Sequence, residues 1–482
     1  MIASNNHGFV DDPGENQPYQ GDHAFLPEST ALYLDLYHLD AAYMAWKGQH
    51  TGVATFDLYV RSNPFAGGFM LVAGLEPAMD FLQRFVFTDP QLAYLEQIRH
   101  YEPAFLAFLS EMRFSGDIYG FREGEIAFPN EPLLRVTAPF HEALILESGL
   151  LRAIGVSTLI ATKAARLSLA ARGARVADFS FRRAHSPYFA ARAGYIGGCD
   201  STSFVAAAMA YDIPASGTIP HALVQAYPTE LEAFRAVATA LPRYSLLLDT
   251  YDVPTGIAHA ITVAKEEDPR TGHRLVAVRL DSGDLVADSF MVRSRLDDAG
   301  LHDVDVLVSG DIDEYRIAEI LGAGAPVDGF GVGGNLGVGL GTVASGTVGG
   351  VIGAVYKLVW FDGDTEYPSR IKIAGSKSTW PGRKQVYRIG TFERDVIALE
   401  NEIAPAGSRA VLQPIVLGGK RVIPEESVQQ IRSRAQASLD ALPAFLRELT
   451  PERPYQVDMS ASLLALREQT IAHYEVPTGE ND

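Results

Sequence analysis

Val278-Arg279-Leu280-Asp281-Ser282-Gly283-Asp284 is the stretch that decides the fold. An apolar run over residues 275–280 carries one cation at its penultimate position. It then breaks into two carboxylates spaced by Ser-Gly, the pattern of a buried strand emptying into a polar loop. Two further strand ends follow, Val304-Asp305-Val306-Leu307-Val308 into Ser309-Gly310-Asp311 and Gly329-Phe330-Gly331-Val332 into Gly333-Gly334. One precedes it, Leu246-Leu247-Leu248 into Asp249-Thr250-Tyr251-Asp252. Apolar strands that each end in Asp, Ser or Gly and alternate with helix-period segments bring their C-terminal ends to one face, where α/β barrels place their chemistry.

Apolar strands are expected to begin near Val176, Ala215, Tyr244, Leu275, Val304, Val327 and Ile352, one roughly every thirty residues, the spacing of a repeated βα unit. A closed or nearly closed barrel fits this repeat, and an open doubly wound sheet competes with it. Upstream, the pattern Tyr33, Leu36, Tyr37, Ala41, Tyr43-Met44 has helical spacing, Thr55 to Arg61 alternates as a strand, and the βα repeat is missing, which makes the first unit α+β. We therefore divide the chain into a tail over residues 1–25, an α+β unit over 26–150, a barrel over 151–365 and a C-terminal region over 366–482.

With 482 residues, two or three packed units are expected, and 47% hydrophobic with 21% charged residues is the balance of a globular protein. The formal net charge of -19 argues against nucleic acid and anionic membrane as partners. Cys199 is the only cysteine, so no internal disulfide exists, in keeping with a reducing compartment. The N-terminal residues lack the basic-then-apolar pattern of a secretory signal, and we read no uninterrupted apolar run as membrane-spanning, so a cytoplasmic protein is expected.

Asp281, Asp284 and Asp311, with Asp249 and Asp252, put several carboxylates on one face. Read singly, each is equally a helix cap. Together they repel one another unless Mg²⁺, carried in with a phosphate, or a ring of cations intervenes. The chain supplies such a ring in Lys163, Arg166, Arg182, Arg183, Arg279, Lys372, Lys377, Lys384 and Arg388. Arg279 lies on an apolar strand, where an unpaired guanidinium is costly, which favours a role in the site. Gly331, Gly333 and Gly334 let backbone N–H groups approach a phosphate, and the same glycines suit a barrel turn. The glycine-rich residues 331–350 evoke a dinucleotide fingerprint only weakly, with no acid on a suitable next strand. His221 ends a short strand in Gly217-Thr218-Ile219-Pro220-His221, a position that favours function over structure.

An ordered set of motifs resembles the nicotinate phosphoribosyltransferase family over about residues 35–388. They are Asp35-Leu36-Tyr37, Asp178-Phe179-Ser180-Phe181-Arg182-Arg183-Ala184, Gly217 to His221, Asp249-Thr250-Tyr251-Asp252, Val278 to Leu285, Val308-Ser309-Gly310-Asp311, Phe330-Gly331-Val332-Gly333, Tyr356-Lys357-Leu358 and Pro381-Gly382-Arg383-Lys384-Gln385-Val386-Tyr387-Arg388. The resemblance implies an irregular, TIM-like α/β barrel beside an α/β sandwich domain built from the N-terminal and part of the C-terminal region, working as a homodimer with shared sites. It implies union of nicotinate with phosphoribosyl pyrophosphate for NAD synthesis, coupled to ATP hydrolysis through a phosphohistidine. Carried over residue by residue, the phosphohistidine is His221 and the pyridine-binding residues are Tyr37, Thr218 and Arg279.

On this reading Asp281 and Asp284 join His221 as catalytic residues, reaching Mg²⁺ indirectly or through phosphate. Lys163, Arg166, Arg182, Ser309, Gly310, Asp311, Gly331, Gly333 and Gly334 take the phosphoribosyl pyrophosphate, and Lys377, Lys384 and Arg388 take the phosphates of ATP. The chain departs from the family pattern at Leu34, where Thr is usual, at Ala222, where Ser is usual, and at Gly334, where Thr is usual. Two alternatives stand beside this expectation. One is a nicotinamide-using enzyme, disfavoured because the position of its characteristic Asp aligns with uncharged Ser203; the other is a catalytically silent binding protein on the same scaffold.

Overall fold

The computed structural model describes residues 29–341, 350–363, 366–374 and 377–474. The expected tail over residues 1–25 and the middle of the glycine-rich stretch lie outside the described residues. Two sheets dominate, and both are explained by the pattern of the strands that build them. In the parallel sheet the order is Ser201–Thr202, Arg175–Asp178, Gly329–Val332, Asp305–Val308, Arg274–Leu280 and Arg243–Leu247. It curls as a half barrel, extended at one edge by a single parallel bridge between Thr202 and Ala215.

The period of two sets which side chains face inward. Val278, Leu280, Val306 and Val308 are buried in the main core with the covering helices, while Ala277, Arg279, Leu307 and Ser309 line the interior. Register places Arg279 level with Leu307 and Leu247, so the one charged residue within that apolar run stands at the end of the barrel where three strands stop. Asp252, Asp284 and Asp313 each cap the following helix by accepting a backbone N–H, which starts the helices Val253–Thr271, Leu285–Asp298 and Glu314–Gly322 directly after the strand-end loops.

The Ile352 segment belongs elsewhere than expected. Ala354–Phe361 pairs antiparallel with Val53–Val60, with Lys357 opposite Asp57 and the Tyr356 ring stacked on Phe56 at 4.7 Å. An apolar run alone does not say which sheet a strand joins, and here the cross-strand partners decide. This second sheet runs Ala354–Phe361, Val53–Val60, Pro132–Pro139, Asp117–Gly120, Gln413–Leu417 and Lys420–Arg421, so both ends of the chain contribute to it. A third sheet of Ser408–Ala410, Lys384–Ile389, Arg394–Leu399 and Val457–Met459 packs beside it. The long helix Glu147–Ala171 connects the units. By length and composition it is able to cross a membrane, which the sequence reading passed over, yet 83% of its apolar window is buried inside the fold, as in a core helix.

Two of the expected phosphate-binding cations turn out to hold these sheets together. Lys384 is buried, 2.8 Å from the Asp57 carboxylate, and donates to the carbonyls of Trp380 and Gly382 at 2.6 and 2.8 Å. Arg388 is buried between the Phe128 and Phe392 rings, with Nε and Nη2 on the Asp395 carboxylate and Nη2 also on the Ile126 carbonyl. Tyr455 donates its hydroxyl to the same Asp395 at 2.9 Å. A second acid, Glu131, is buried beside Asp395. Burial and then the Asp395 charge push its carboxyl well above the usual range, against a smaller opposing pull from Arg388, which favours its protonated form.

The folded chain thus retains a proton that an unfolded Glu releases above about pH 4.3, and stability falls as pH rises from there toward the folded pKa. Glu131→Gln supplies a permanent N–H donor in its place. We expect its melting temperature to exceed that of the wild type by about 2–4 °C near pH 9 and to vary less with pH. Thermal denaturation at several pH values checks this, and parallel melting curves for the two proteins would refute the assignment of a proton to Glu131.

Candidate active site

The strand-end residues converge on one pocket of about 540 Å³, lined among others by Arg182, Arg183, Arg279, Asp281, Asp311, Gly333 and Gly334. Arg279 organises it. Its Nη1 donates to Thr218 Oγ1 at 2.8 Å and its Nε to Ser309 Oγ at 2.6 Å, while Nη2 pairs with Asp281 Oδ1. Strand Arg274–Leu280 supplies the guanidinium, the next parallel strand supplies Ser309 just past its end, and the segment before helix His221–Gln225 supplies Thr218. The Phe179 ring lies 5.7 Å from the guanidinium carbon, giving it an aromatic wall.

Asp281 is half-buried. Desolvation pushes its carboxyl upward, but hydrogen bonds from Ser309 and Arg279 and the charge of Arg279 outweigh this and hold it below the usual carboxylate range. It is therefore an anion at neutral pH, fixed in direction by two donors on one oxygen. Its backbone N–H donates to Asp249 Oδ2 at 3.1 Å, and Ser282 donates its hydroxyl to the same oxygen. On the outer side, burial and the neighbouring Asp284 and Asp249 push Asp288 upward, a sign of crowded negative charge at this rim.

His221 stands at the first position of its helix. Its Nδ1 lies 3.2 Å from Thr250 Oγ1, and Nε2 is 3.8 Å from Asp281 Oδ2, outside hydrogen-bond range. One ring nitrogen is thereby oriented and the other faces the Asp281 side.

Close backbone approach explains two glycines. A Cβ on Gly310, whose φ is 90°, would lie 2.0 Å from the Asp281 carbonyl oxygen, and one on Gly331 would lie 2.4 Å from the Phe179 ring. Gly333 and Gly334 face the Arg183 side chain, and the Asn335 amide donates to the Asp311 and Ile312 carbonyls at 3.3 and 2.8 Å, tying the glycine loop to the 309–313 loop.

Of the expected site residues, Thr218, Arg279, Asp281 and Ser309 come together through direct hydrogen bonds, with His221 Nε2 3.8 Å from Asp281, while Arg182, Gly310, Asp311, Gly331, Gly333 and Gly334 line the pocket with Arg279, Asp281 and Ser309. Asp284 does not line the pocket and caps helix Leu285–Asp298 by accepting the Ala287 N–H. Tyr37 lies on helix Leu36–Lys47 in the first unit, 59% exposed, and does not line this pocket. Lys163 and Arg166 stand outside it, buried against Glu314, and Lys384 and Arg388 are in the sheets described above. Lys377 is exposed on a separate segment. Among the described residues, no three His, Cys, Asp or Glu side chains gather as a metal-binding group.

Sequence reasoning gave no role to Phe179, Thr250 or Asn335. Phe179 and Thr250 each follow a strand-end Asp within a noted motif, so their positions were available while their contacts were not.

Residues 32–155 match the family model for the nicotinate phosphoribosyltransferase (NAPRTase) N-terminal domain, and residues 400–467 match that for the nicotinate phosphoribosyltransferase C-terminal domain. The chain is 39% identical over 428 residues to nicotinate phosphoribosyltransferase pncB2 of Mycobacterium tuberculosis, covering 87% of this chain and 89% of the relative. It is 41% identical over 393 residues to the nicotinate phosphoribosyltransferase of Bacillus subtilis, covering 79% and 78%. The crystal structure of human nicotinic acid phosphoribosyltransferase superimposes with a TM-score of 0.79 at 28% identity, over 90% of this chain and 99% of that one.

Proposed function

Because the chain belongs to the nicotinate phosphoribosyltransferase family, we propose that it joins nicotinate to 5-phosphoribosyl 1-pyrophosphate, giving nicotinate mononucleotide and pyrophosphate for NAD synthesis. The observation that carries this reading is the Arg279 cluster at the mouth of the half barrel. A guanidinium beside a hydroxyl and over an aromatic ring matches a flat aromatic carboxylate in charge, hydrogen bonding and shape. Nicotinate is such a molecule.

Substitution at the ribose anomeric carbon breaks its bond to pyrophosphate and forms one to the pyridine nitrogen, with positive charge on the sugar between the two events. No covalent bond to the protein is needed, so catalysis is positioning plus electrostatics. Asp281, kept ionised by its donors, is the group suited to the ribose hydroxyls and to the cationic sugar. Arg182, Arg183 and the backbone N–H groups around Gly310, Gly333 and Gly334 suit the phosphates. Mg²⁺ enters as the counter-ion of the pyrophosphate substrate.

His221 is the acceptor in ATP coupling. A neutral ring nitrogen attacks the γ-phosphorus, the bond to the β–γ bridging oxygen breaks, ADP departs, and water later releases phosphate. Thr250 at Nδ1 leaves Nε2 as the nitrogen free to react. The dianionic phosphoryl group would sit near the cations that hold the substrate, so phosphorylation alters substrate binding rather than glycosyl transfer.

Incubation with nicotinate, phosphoribosyl pyrophosphate, Mg²⁺ and ATP should yield nicotinate mononucleotide, and no product would refute the proposal. In the same assay His221→Ala should lose ATP stimulation and acid-labile label from γ-labelled ATP while retaining slow ATP-independent synthesis. Label on that variant would move the acceptor elsewhere.

Tyr37 reaches the pyridine from a second copy of the chain in a homodimer. Its exposure and its place outside its own chain's pocket support this. Mixing inactive Tyr37→Ala and Asp281→Asn chains should restore up to about a quarter of the activity through hybrid dimers with one intact site. No recovery despite demonstrated subunit exchange would show that the site is not shared.

A further inference from the structure

Residues 309–313 join strand Asp305–Val308 to helix Glu314–Gly322 and carry Ser309, Gly310 and Asp311 into the pocket. Their path is constrained: Gly310 and Asp311 both have positive φ, 90° and 48°. For Asp311 this is a sparsely populated conformation, and it persists only where the surroundings hold it. The Ser309 hydroxyl fixes the start of the loop and the Asn335 amide its middle.

Its far end is fixed from beneath. Glu314, the first residue of the helix, is buried, and its two carboxylate oxygens are taken separately by Lys163 Nζ and by Arg166 Nε, the latter at 2.9 Å. Arg166 also donates to Tyr315 Oη at 3.2 Å and to the Leu449 carbonyl at 3.1 Å. The Phe65 ring covers both cations, 5.0 Å from Lys163 Nζ and 5.6 Å from the Arg166 guanidinium carbon. Burial opposes ionisation of Glu314, but Lys163 and Arg166 outweigh it and hold its carboxyl below the usual range.

Such a buried group of ions is a poor device for stability, because desolvation offsets most of the attraction and apolar side chains of equal volume do as well. What it supplies is a fixed position. We propose that Lys163 and Arg166 are positioning residues: by clamping Glu314 they hold residues 309–311 in the conformation that receives the pyrophosphate-bearing substrate, without touching it. The inference rests on the proposed function for the identity of that substrate. The clamp itself is a property of the chain.

Lys163→Met removes one cation and leaves a balanced Arg166–Glu314 pair, and Tyr315→Phe loosens Arg166 without altering any buried charge. For Lys163→Met, amide hydrogen exchange at residues 309–313 should quicken about tenfold while the other barrel strands stay unchanged. Its KM for phosphoribosyl pyrophosphate should rise about tenfold with KM for nicotinate within about twofold. Tyr315→Phe should move the same two quantities in the same direction by less, and it decides the matter if Lys163→Met does not fold. Unchanged exchange at 309–313 in a folded variant overturns the clamp, and faster exchange with an unchanged KM overturns its link to the substrate. The exchange measurement needs no substrate, so it separates failure of the clamp from failure of the proposed reaction.

Discussion

Everything at the candidate site depends on a guanidinium held at the end of a strand. Arg279 is level in register with the apolar ends of its neighbours, and it is tolerated there because Thr218, Ser309 and Asp281 take its N–H groups. Each of these partners is fixed in turn by something else. Ser309 is shared with Asp281, Asp281 is anchored through its backbone to Asp249, and Gly310 passes so close to the Asp281 carbonyl that no side chain fits. The result is an ionised carboxylate and a cation a few ångströms apart, both aimed before any ligand arrives, which is the kind of preorganisation that electrostatic catalysis requires.

Buried charge recurs away from the pocket with a different consequence. Lys384 with Asp57, Arg388 with Asp395 beside Glu131, and Lys163 and Arg166 with Glu314 all lie in low-dielectric surroundings; the first and last join segments distant in the chain, and the second does so through the Ile126 carbonyl and Glu131. Removing one partner leaves the other uncompensated, which is far more costly than the net value of the pair. These groups therefore fix how the sheets meet and where the 309–313 loop sits.

This also explains what the sequence could and could not show. The strand ends at Asp249, Asp281, Asp311 and Gly333 were legible because an apolar run breaking into Asp, Ser and Gly has few structural meanings. Arg279 was legible because it interrupts such a run. The apolar run near Ile352 was legible as a strand but gave no information about its sheet, which Asp57 and Phe56 decide from the other end of the fold. Lys163 and Arg166 stand three residues apart on helix Glu147–Ala171 and were legible only as cations. Nothing local, however, revealed that a Glu some 150 residues later would occupy them. A cation reads the same in sequence whether it meets a ligand or a buried carboxylate, and only the tertiary partner separates the two.

The most direct test of the account is the discrimination between nicotinate and nicotinamide measured by calorimetry on the wild type and on Arg279→Lys. A lysine keeps the charge but lacks the planar fork that meets Thr218, Ser309 and Asp281 while facing a carboxylate. The account predicts that the wild type binds nicotinate at least about tenfold more tightly than nicotinamide, and that the folded variant loses most of this preference by weakening nicotinate alone. A variant that retained the full preference would contradict the central place given to Arg279.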